Sequence, residues 1–163
     1  MDSRYNIRPI QADDIIPVKT LIQTVMTEYG AVGEGYSIHD PEVDDMYTSY
    51  NSGRAAFFVV TEDEVVKGCA GIAQLQGADE SVCELRKMYF YPEIRGKGLA
   101  KKIMEYCLNA AKKFNYKSIY LETVERMKEA NGFYQSVGFK LLEGRLGNTG
   151  HSACNTSYAM KID

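Results

Sequence analysis

The sequence predicts an α/β fold: a mixed, mostly antiparallel sheet of six or seven strands with helices on both faces. Three observations carry that reading. The stretch from Cys83 to Asn115 changes its hydrophobic period midway, from a strand to an amphipathic helix. Ser118–Thr123 follows as another strand, and a strand–helix–strand unit of this length implies parallel pairing with a right-handed crossover. Upstream, three apolar segments are joined by short polar turns, which makes them adjacent antiparallel strands.

Taken in order, Tyr5–Ile10 reads as the first strand, with Pro9 near a sheet edge because it cannot donate to a ladder. A helix follows from close to Ile16. Pro17 suits its first turn, Asp13 or Asp14 its cap, and Ile15, Val18, Leu21, Ile22, Val25 and Met26 its buried face. The glycine-rich run from Glu28 to Pro41 is a loop. Glu42–Tyr50 is a short helix with Asp40 as cap and Pro41 at its first position. Ala55–Val60 is a continuous apolar strand, so it is buried on both faces. Val65–Leu75 returns beside it, with Gly68 and Gly71 marking close backbone approach or a bulge.

Gly77–Glu80 turns into the central strand, Cys83–Tyr91, which Pro92 ends. From Leu99 the apolar positions Leu99, Ile103, Met104, Cys107, Ala111 and Phe114 share one helical face, and that helix ends near Asn115. After Ser118–Thr123 comes a helix over Met127–Ser136, with Gly138 at a left-handed cap. Phe139–Leu142 is a strand, Glu143–Asn155 a long loop, and Thr156–Ile162 the closing strand. No repeat or linker divides the chain, so residues 1–163 read as a single domain.

Composition excludes several classes. The net charge of −3 argues against a general nucleic-acid binder, which would be basic. No apolar run approaches a membrane span, and the opening MDSRYNIRPI lacks a signal peptide's apolar core. Cys69, Cys83, Cys107 and Cys154 are scattered; no C-x-x-C spacing or paired His suggests zinc, so no metal is expected. They read as buried free thiols in a reducing cytoplasm. Exposed apolar residues on the last strands would allow two copies to pair as a homodimer.

The junction Arg95-Gly96-Lys97-Gly98-Leu99-Ala100 breaks a rule. Helix N-termini favour acids, yet Arg95, Lys97, Lys101 and Lys102 crowd this one. Two glycines let a ligand approach the backbone closely. An anion site follows, for phosphate or pyrophosphate held by backbone N–H groups. A Walker A string is absent, and Lys101 stands where a dinucleotide fingerprint needs its third glycine.

Arg95-x-x-Gly98-x-Ala100, placed after a strand and opening a helix, resembles the acetyl-CoA motif of the GNAT acetyltransferases, (Q/R)-x-x-G-x-(G/A). Glu84–Pro92 resembles the fourth strand of that fold and Ser118–Thr123 its fifth. Ala130–Phe139 is similar to the family's A-x-x-F-Y-x-x-x-G-F segment. The resemblance implies a sheet splayed between the fourth and fifth strands, with acetyl-CoA as co-substrate in the gap. The backbone of Met88 and Phe90, with Tyr89 between them, would face the pantetheine arm. Arg95, Gly96, Lys97, Gly98, Leu99, Ala100 and Lys101 would hold the pyrophosphate. The implied activity is direct acetyl transfer to a primary amine of a small molecule or protein.

Roles follow from the same resemblance. Tyr134 matches the family's helix tyrosine, whose hydroxyl donates a proton to the leaving thiolate. Glu84 is the leading base, the Met88 N–H a donor to the oxyanion, and Tyr29, Glu34 and Tyr36 acceptor contacts. Met127 stands where many members carry Asn, and Asn131, one turn later, would substitute. His39 and His151 are rival bases that each read also as plain loop residues. His151 and Cys154 together could suggest a covalent acyl carrier, which direct transfer does not need. A noncatalytic acyl-CoA sensor on the same fold is the alternative; Glu84 plus Tyr134 favours catalysis, since a sensor needs neither.

Overall fold

The computed structural model describes residues 2–163. Its elements are β1 (Tyr5–Pro9), α1 (Ile15–Glu28), α2 (Met46–Tyr50), β2 (Ala56–Glu62), β3 (Val65–Gln74), β4 (Val82–Phe90), α3 (Leu99–Lys113), β5 (Ser118–Thr123), α4 (Lys128–Ser136), β6 (Lys140–Leu141) and β7 (Thr156–Lys161). They form one sheet in the order β1-β2-β3-β4-β5-β7-β6. The β4–β5 pair is parallel and the other pairs are antiparallel.

Each face of the sheet has its own core. Val18, Leu21, Ile22 and Val25 of α1, with Met46 and Tyr50 of α2, pack on Phe57, Val59 and Cys69. On the opposite face Leu99, Ile103, Met104 and Cys107 of α3 pack on Val60, Ile72, Cys83 and Leu85. β2 alternates between these cores, which is why its sequence is apolar without a break. The expected helices on both faces are therefore present. All four cysteines are free; Cys69, Cys83 and Cys107 are buried. Among the described residues no helix is long and apolar enough to cross a membrane.

What positions the site is the joint between β4 and β5. Only Val82–Glu84 pairs with Ser118–Tyr120, although β4 runs on to Phe90 and β5 to Thr123. A bulge drives β4 away. Arg86 pairs with Gly71 and Tyr89 with Cys69, so β3 contributes one residue, Ala70, where β4 contributes two, Lys87 and Met88. Lys87 takes φ +54°, a left-handed conformation that costs a side-chain-bearing residue about 1 kcal/mol. The bulge sharpens the local twist and breaks the alternation. Arg86 and Lys87, adjacent in sequence, both reach carboxylates on the α1 side.

Four local expectations change. A 3₁₀ turn, Ala12–Asp14, precedes α1, and Asp14 does not cap the helix with its side chain. Its carboxylate instead accepts from the Gln11 N–H at 2.7 Å and from Arg8 at 2.6 and 3.0 Å, clamping the strand-to-helix corner. The expected helix over 42–50 divides into a 3₁₀ turn, Pro41–Asp44, and α2. Asp45 caps α2 through the Thr48 N–H at 2.9 Å, which frees Asp40 for contacts described below. The strand expected over 139–142 shortens to Lys140–Leu141, after Gly138 turns the chain at φ +110°.

Gly68 and Gly71 mark close approach, as their positions suggest. A Cβ on Gly71 would sit against the Phe57 ring and 2.7 Å from the Ala56 carbonyl oxygen. Gly71→Val should therefore destabilise the fold by about 2 kcal/mol through overpacking between β2 and β3. Urea unfolding measures it; an unchanged midpoint would show that β2 yields freely there.

Candidate active site

Where β4 and β5 part, a cavity of about 1080 Å³ opens. Glu84 through Phe90 form one wall and Leu121 through Val124 the other. Past Glu84 the edge of β4 that faces β5 has no partner strand, so its peptide groups border the gap. One end of the cavity meets the N-terminus of α3; the other meets a buried set of charges.

At the helix end, Gly96 and Gly98 have φ +74° and +78°. A Cβ on either would meet nothing within 4 Å, so the approach to the backbone is open. Gly98 is the N-cap of α3, without a side-chain cap and without an acid in the first turn. The first intrahelical bond runs from the Lys102 N–H to the Gly98 carbonyl at 3.3 Å. The amides before it are left for a ligand, and the helix dipole makes that ligand an anion. Residues 96–101 thus offer a diphosphate the amides and open backbone it would need.

The cations divide in role. Arg95 makes two 2.8 Å bonds to the Glu28 carboxylate and donates to the Phe90 carbonyl at 2.8 and 3.0 Å. The Glu28 bond, more than any other influence, raises the Arg95 pKa. Arg95 thus ties the end of β4 to the end of α1. Lys101 lines the cavity, whereas Lys97 is exposed and outside it.

Tyr134 enters the cavity from α4. Its ring lies 5.9 Å from that of Phe139 and 6.1 Å from that of Tyr158. Burial pushes its hydroxyl up to about 12, so it keeps its proton at neutral pH and faces the cavity as a neutral O–H donor. Cys154 also lines the cavity; burial pushes its thiol up to about 11, which removes the thiolate that a covalent carrier needs.

At the charged end, Arg86 Nε donates to Glu84 Oε1 at 2.6 Å, and Arg86 Nη1 lies 3.3 Å from Glu42 Oε1. Lys87 Nζ donates to Asp40 Oδ2 at 2.7 Å. His151 Nε2 lies 2.8 Å from the same oxygen and 3.0 Å from Asp40 Oδ1. Glu122 accepts from Tyr120 Oη at 2.6 Å and from Thr149 Oγ1 at 2.5 Å. Burial raises the Glu84 pKa against the pull of Arg86. For Asp40, burial pushes upward too, but His151 and Lys87 outweigh it and the pKa is lowered.

The residues singled out in the sequence separate cleanly. Tyr29 and Tyr36 line the cavity; Glu34 is exposed and does not. His39 is exposed and bonds the Val32 carbonyl at 2.7 Å, while His151 is buried and lines the cavity. Asn131 does not line it. Its amide nitrogen donates to the Val124 and Met127 carbonyls, and its oxygen accepts from Tyr158 Oη at 2.8 Å. Met127 lines the cavity in its place.

Asp40, Glu42, Lys87, Glu122 and Arg126 are gains of the structure. Arg126 Nη2 reaches Tyr36 Oη at 3.1 Å and the Tyr29 carbonyl at 3.3 Å, pinning the roof of the cavity across the gap. Contacts spanning ninety or more residues leave no trace in local spacing.

A family profile described as "Acetyltransferase (GNAT) family" matches residues 19–139. The chain is 40% identical over 149 residues to the uncharacterized N-acetyltransferase YjgM of Escherichia coli (strain K12), covering 91% of this chain and 89% of that protein. Its fold is similar to that of a GNAT-family acetyltransferase from Staphylococcus aureus Mu50, with TM-score 0.81, 18% identity, and 98% and 99% of the two chains covered. It is also similar to yncA, a putative acetyltransferase from Salmonella typhimurium solved with its cofactor acetyl-CoA. There the TM-score is 0.78 at 16% identity, covering 99% of this chain and 95% of that one.

The Lys87 side chain is 1% exposed, so removing Asp40 leaves a buried cation with only Glu42, 3.5 Å away. Asp40→Asn should cost about 3 kcal/mol at pH 7. Because the folded pKa of Asp40 is lowered, its stabilisation is complete above the unfolded value of about 3.9. It is lost as pH falls through the folded value, so the gap between wild type and variant should close below about pH 4. Urea midpoints across pH test this; a gap independent of pH would exclude the ionic origin.

Proposed function

The chain belongs to the acetyltransferase (GNAT) family and is an N-acetyltransferase; from that premise we propose that it moves the acetyl group of acetyl-CoA directly to a primary amine of a small molecule or protein. The observation that carries this reading is the opening between β4 and β5. It joins an uncapped helix N-terminus at one end to buried proton-handling groups at the other.

The residues fit the co-substrate in two places. The diphosphate is assigned to the amides from Gly96 to Lys101, which have no competing cap. The pantetheine arm is assigned to the unpaired edge of β4 at Met88, Tyr89 and Phe90. Recognition there uses peptide groups as an added strand would, which leaves side chains free to vary. Arg95 serves indirectly by fixing the loop against Glu28.

Transfer has three physical needs. An ammonium of pKa about 10.4 must lose a proton before its nitrogen can attack. Glu84 lines the cavity, and burial has already raised its affinity for a proton, so it takes that proton directly or through water. Negative charge growing on the carbonyl oxygen needs a fixed donor, assigned to the Met88 N–H. The departing thiolate takes a proton from Tyr134, whose hydroxyl is held neutral by burial. Tyr29 and Tyr36 form the acceptor's side of the roof. A pure acyl-CoA sensor would have no use for a buried acid and a buried phenol facing one cavity.

Free-CoA release with spermidine, L-lysine, L-aspartate and a lysine-containing peptide tests the reaction. Turnover with at least one amine is expected; acetyl-CoA binding without turnover would favour the sensor. Tyr134→Phe should lower kcat by about a hundredfold while calorimetric acetyl-CoA affinity holds. Gly98→Val places a side chain in the mouth at φ +78°. It should weaken acetyl-CoA binding by at least about tenfold.

A further inference from the structure

The proposed reaction leaves a proton on Glu84, whose side chain is 4% exposed. A buried acid that keeps its proton cannot serve the next acceptor. Turnover therefore requires a way for that proton to reach solvent.

A second cavity of about 210 Å³ lies against the charged end of the first. Glu84, Arg86 and His151 line both, so they form the wall between them. Asp40, Glu42 and Thr149 line the second alone. His151 is buried, yet its Nε2 rests on Asp40, whose side chain is 24% exposed. With Nε2–H donating to Asp40, the tautomer assigned from that bond leaves the Nδ1 lone pair free. Nδ1 lies 3.9 Å from Glu122 Oε1, so a proton arriving there is met by a second carboxylate.

We infer that His151, held in place by Asp40, carries the acceptor amine's proton from Glu84 to water in the second cavity and so restores the base for each cycle. This rests on the acetyl-transfer reading above. The Glu84 O–H bond breaks and an Nδ1–H bond forms, across cavity water, giving carboxylate and imidazolium. The Nδ1–H bond of the imidazolium then breaks, its proton passing to water that reaches the small cavity, and the neutral Nε2–H tautomer is restored. No electrons move between groups, and no further reactant is consumed.

The charges around the ring suit a transient cation. Asp40 and Glu122 flank it from the α1–α2 connection and from β5. The β4 cations Arg86 and Lys87 are already matched by Glu84, Glu42 and Asp40. From its own loop, Arg145 donates to the His151 carbonyl at 3.2 Å and lies 3.9 Å from Glu122, and Cys154 is held as the thiol. Tyr120 is committed to Glu122. Asp40 is a positioning residue here: it fixes the tautomer and the ring.

The decisive comparison is steady-state against single-turnover kinetics in His151→Gln, using whichever amine of the panel releases CoA fastest. We expect kcat to fall about tenfold, with the first turnover of acetyl-CoA-loaded enzyme kept within about twofold. Added imidazole should restore kcat in His151→Ala. Equal losses in both phases would place His151 in the chemical step and overturn the relay; an unchanged kcat would overturn it as well. An acceptor-free readout stands beside these. The chain has two histidines, so ¹⁵N NMR resolves both imidazoles, with His39→Gln assigning them. Glu84→Gln should shift the His151 ring ¹⁵N resonances at neutral pH, and unmoved resonances would sever the link between the two groups. Silence from every amine sinks the acetyl-transfer reading, whereas activity with an indifferent His151 sinks only the relay.

Discussion

A parallel strand pair that stops after three residues governs this molecule. Continued pairing would have satisfied the backbone of β4 and β5 and closed the sheet. Instead one extra residue in β4, with Lys87 at φ +54°, turns the strand aside. The strain of about 1 kcal/mol is small beside the two cores that hold the strand on either face. The bulge supplies three things together. It opens the gap, frees peptide groups along one edge, and swings two neighbouring cations to the same side. Cys69 Sγ donates to the Lys87 carbonyl at 3.1 Å and helps hold the unusual turn.

Burying those cations sets the next constraint. Arg86 and the Lys87 side chain have little access to water, so each must be matched by carboxylates. Glu42, Glu84 and Asp40 do this from two elements, and the α1–α2 connection is thereby fixed over the acceptor end. That explains why Asp40, which stands at the N-cap of the Pro41–Asp44 turn, gives its side chain to Lys87 and His151 instead of to the turn's amides. A helix cap is worth about 1 kcal/mol, whereas an unmatched buried cation costs about 3 kcal/mol or more. The arrangement that neutralises Lys87 also places a carboxylate under His151, so one set of contacts fixes both side chains.

How much of this was legible in the sequence follows from the range of each interaction. Period and punctuation are local. They gave β5 to the residue, α3 to within two residues at its far end, and the strand-to-helix junction with its two left-handed glycines. The bulge in β4 was not legible, because Glu84-Leu-Arg-Lys-Met reads as an ordinary strand until Lys87 must face Asp40. Among the functional candidates, those carried by a segment motif, such as Tyr134 and Gly98, line the cavity. Those placed only by the segment they occupy, the connection after α1, split, with Tyr29 and Tyr36 inside and Glu34 outside. Asn131 looked free because its partners, Val124 and Tyr158, lie seven and twenty-seven residues away.

The two ends of the cavity obey different rules. The α3 end offers peptide N–H groups and a helix dipole, which any sequence with small residues at those turns can supply. The charged end relies on side chains that satisfy one another across four separate segments. Changing one member weakens the matching of its neighbours, so the contributions of these residues are coupled. The charged end is therefore held by the whole ring of side chains rather than by any single residue. His151 belongs to that ring through a loop that follows the fifth strand by more than twenty residues, and only the closing of the sheet brings it beside Glu84.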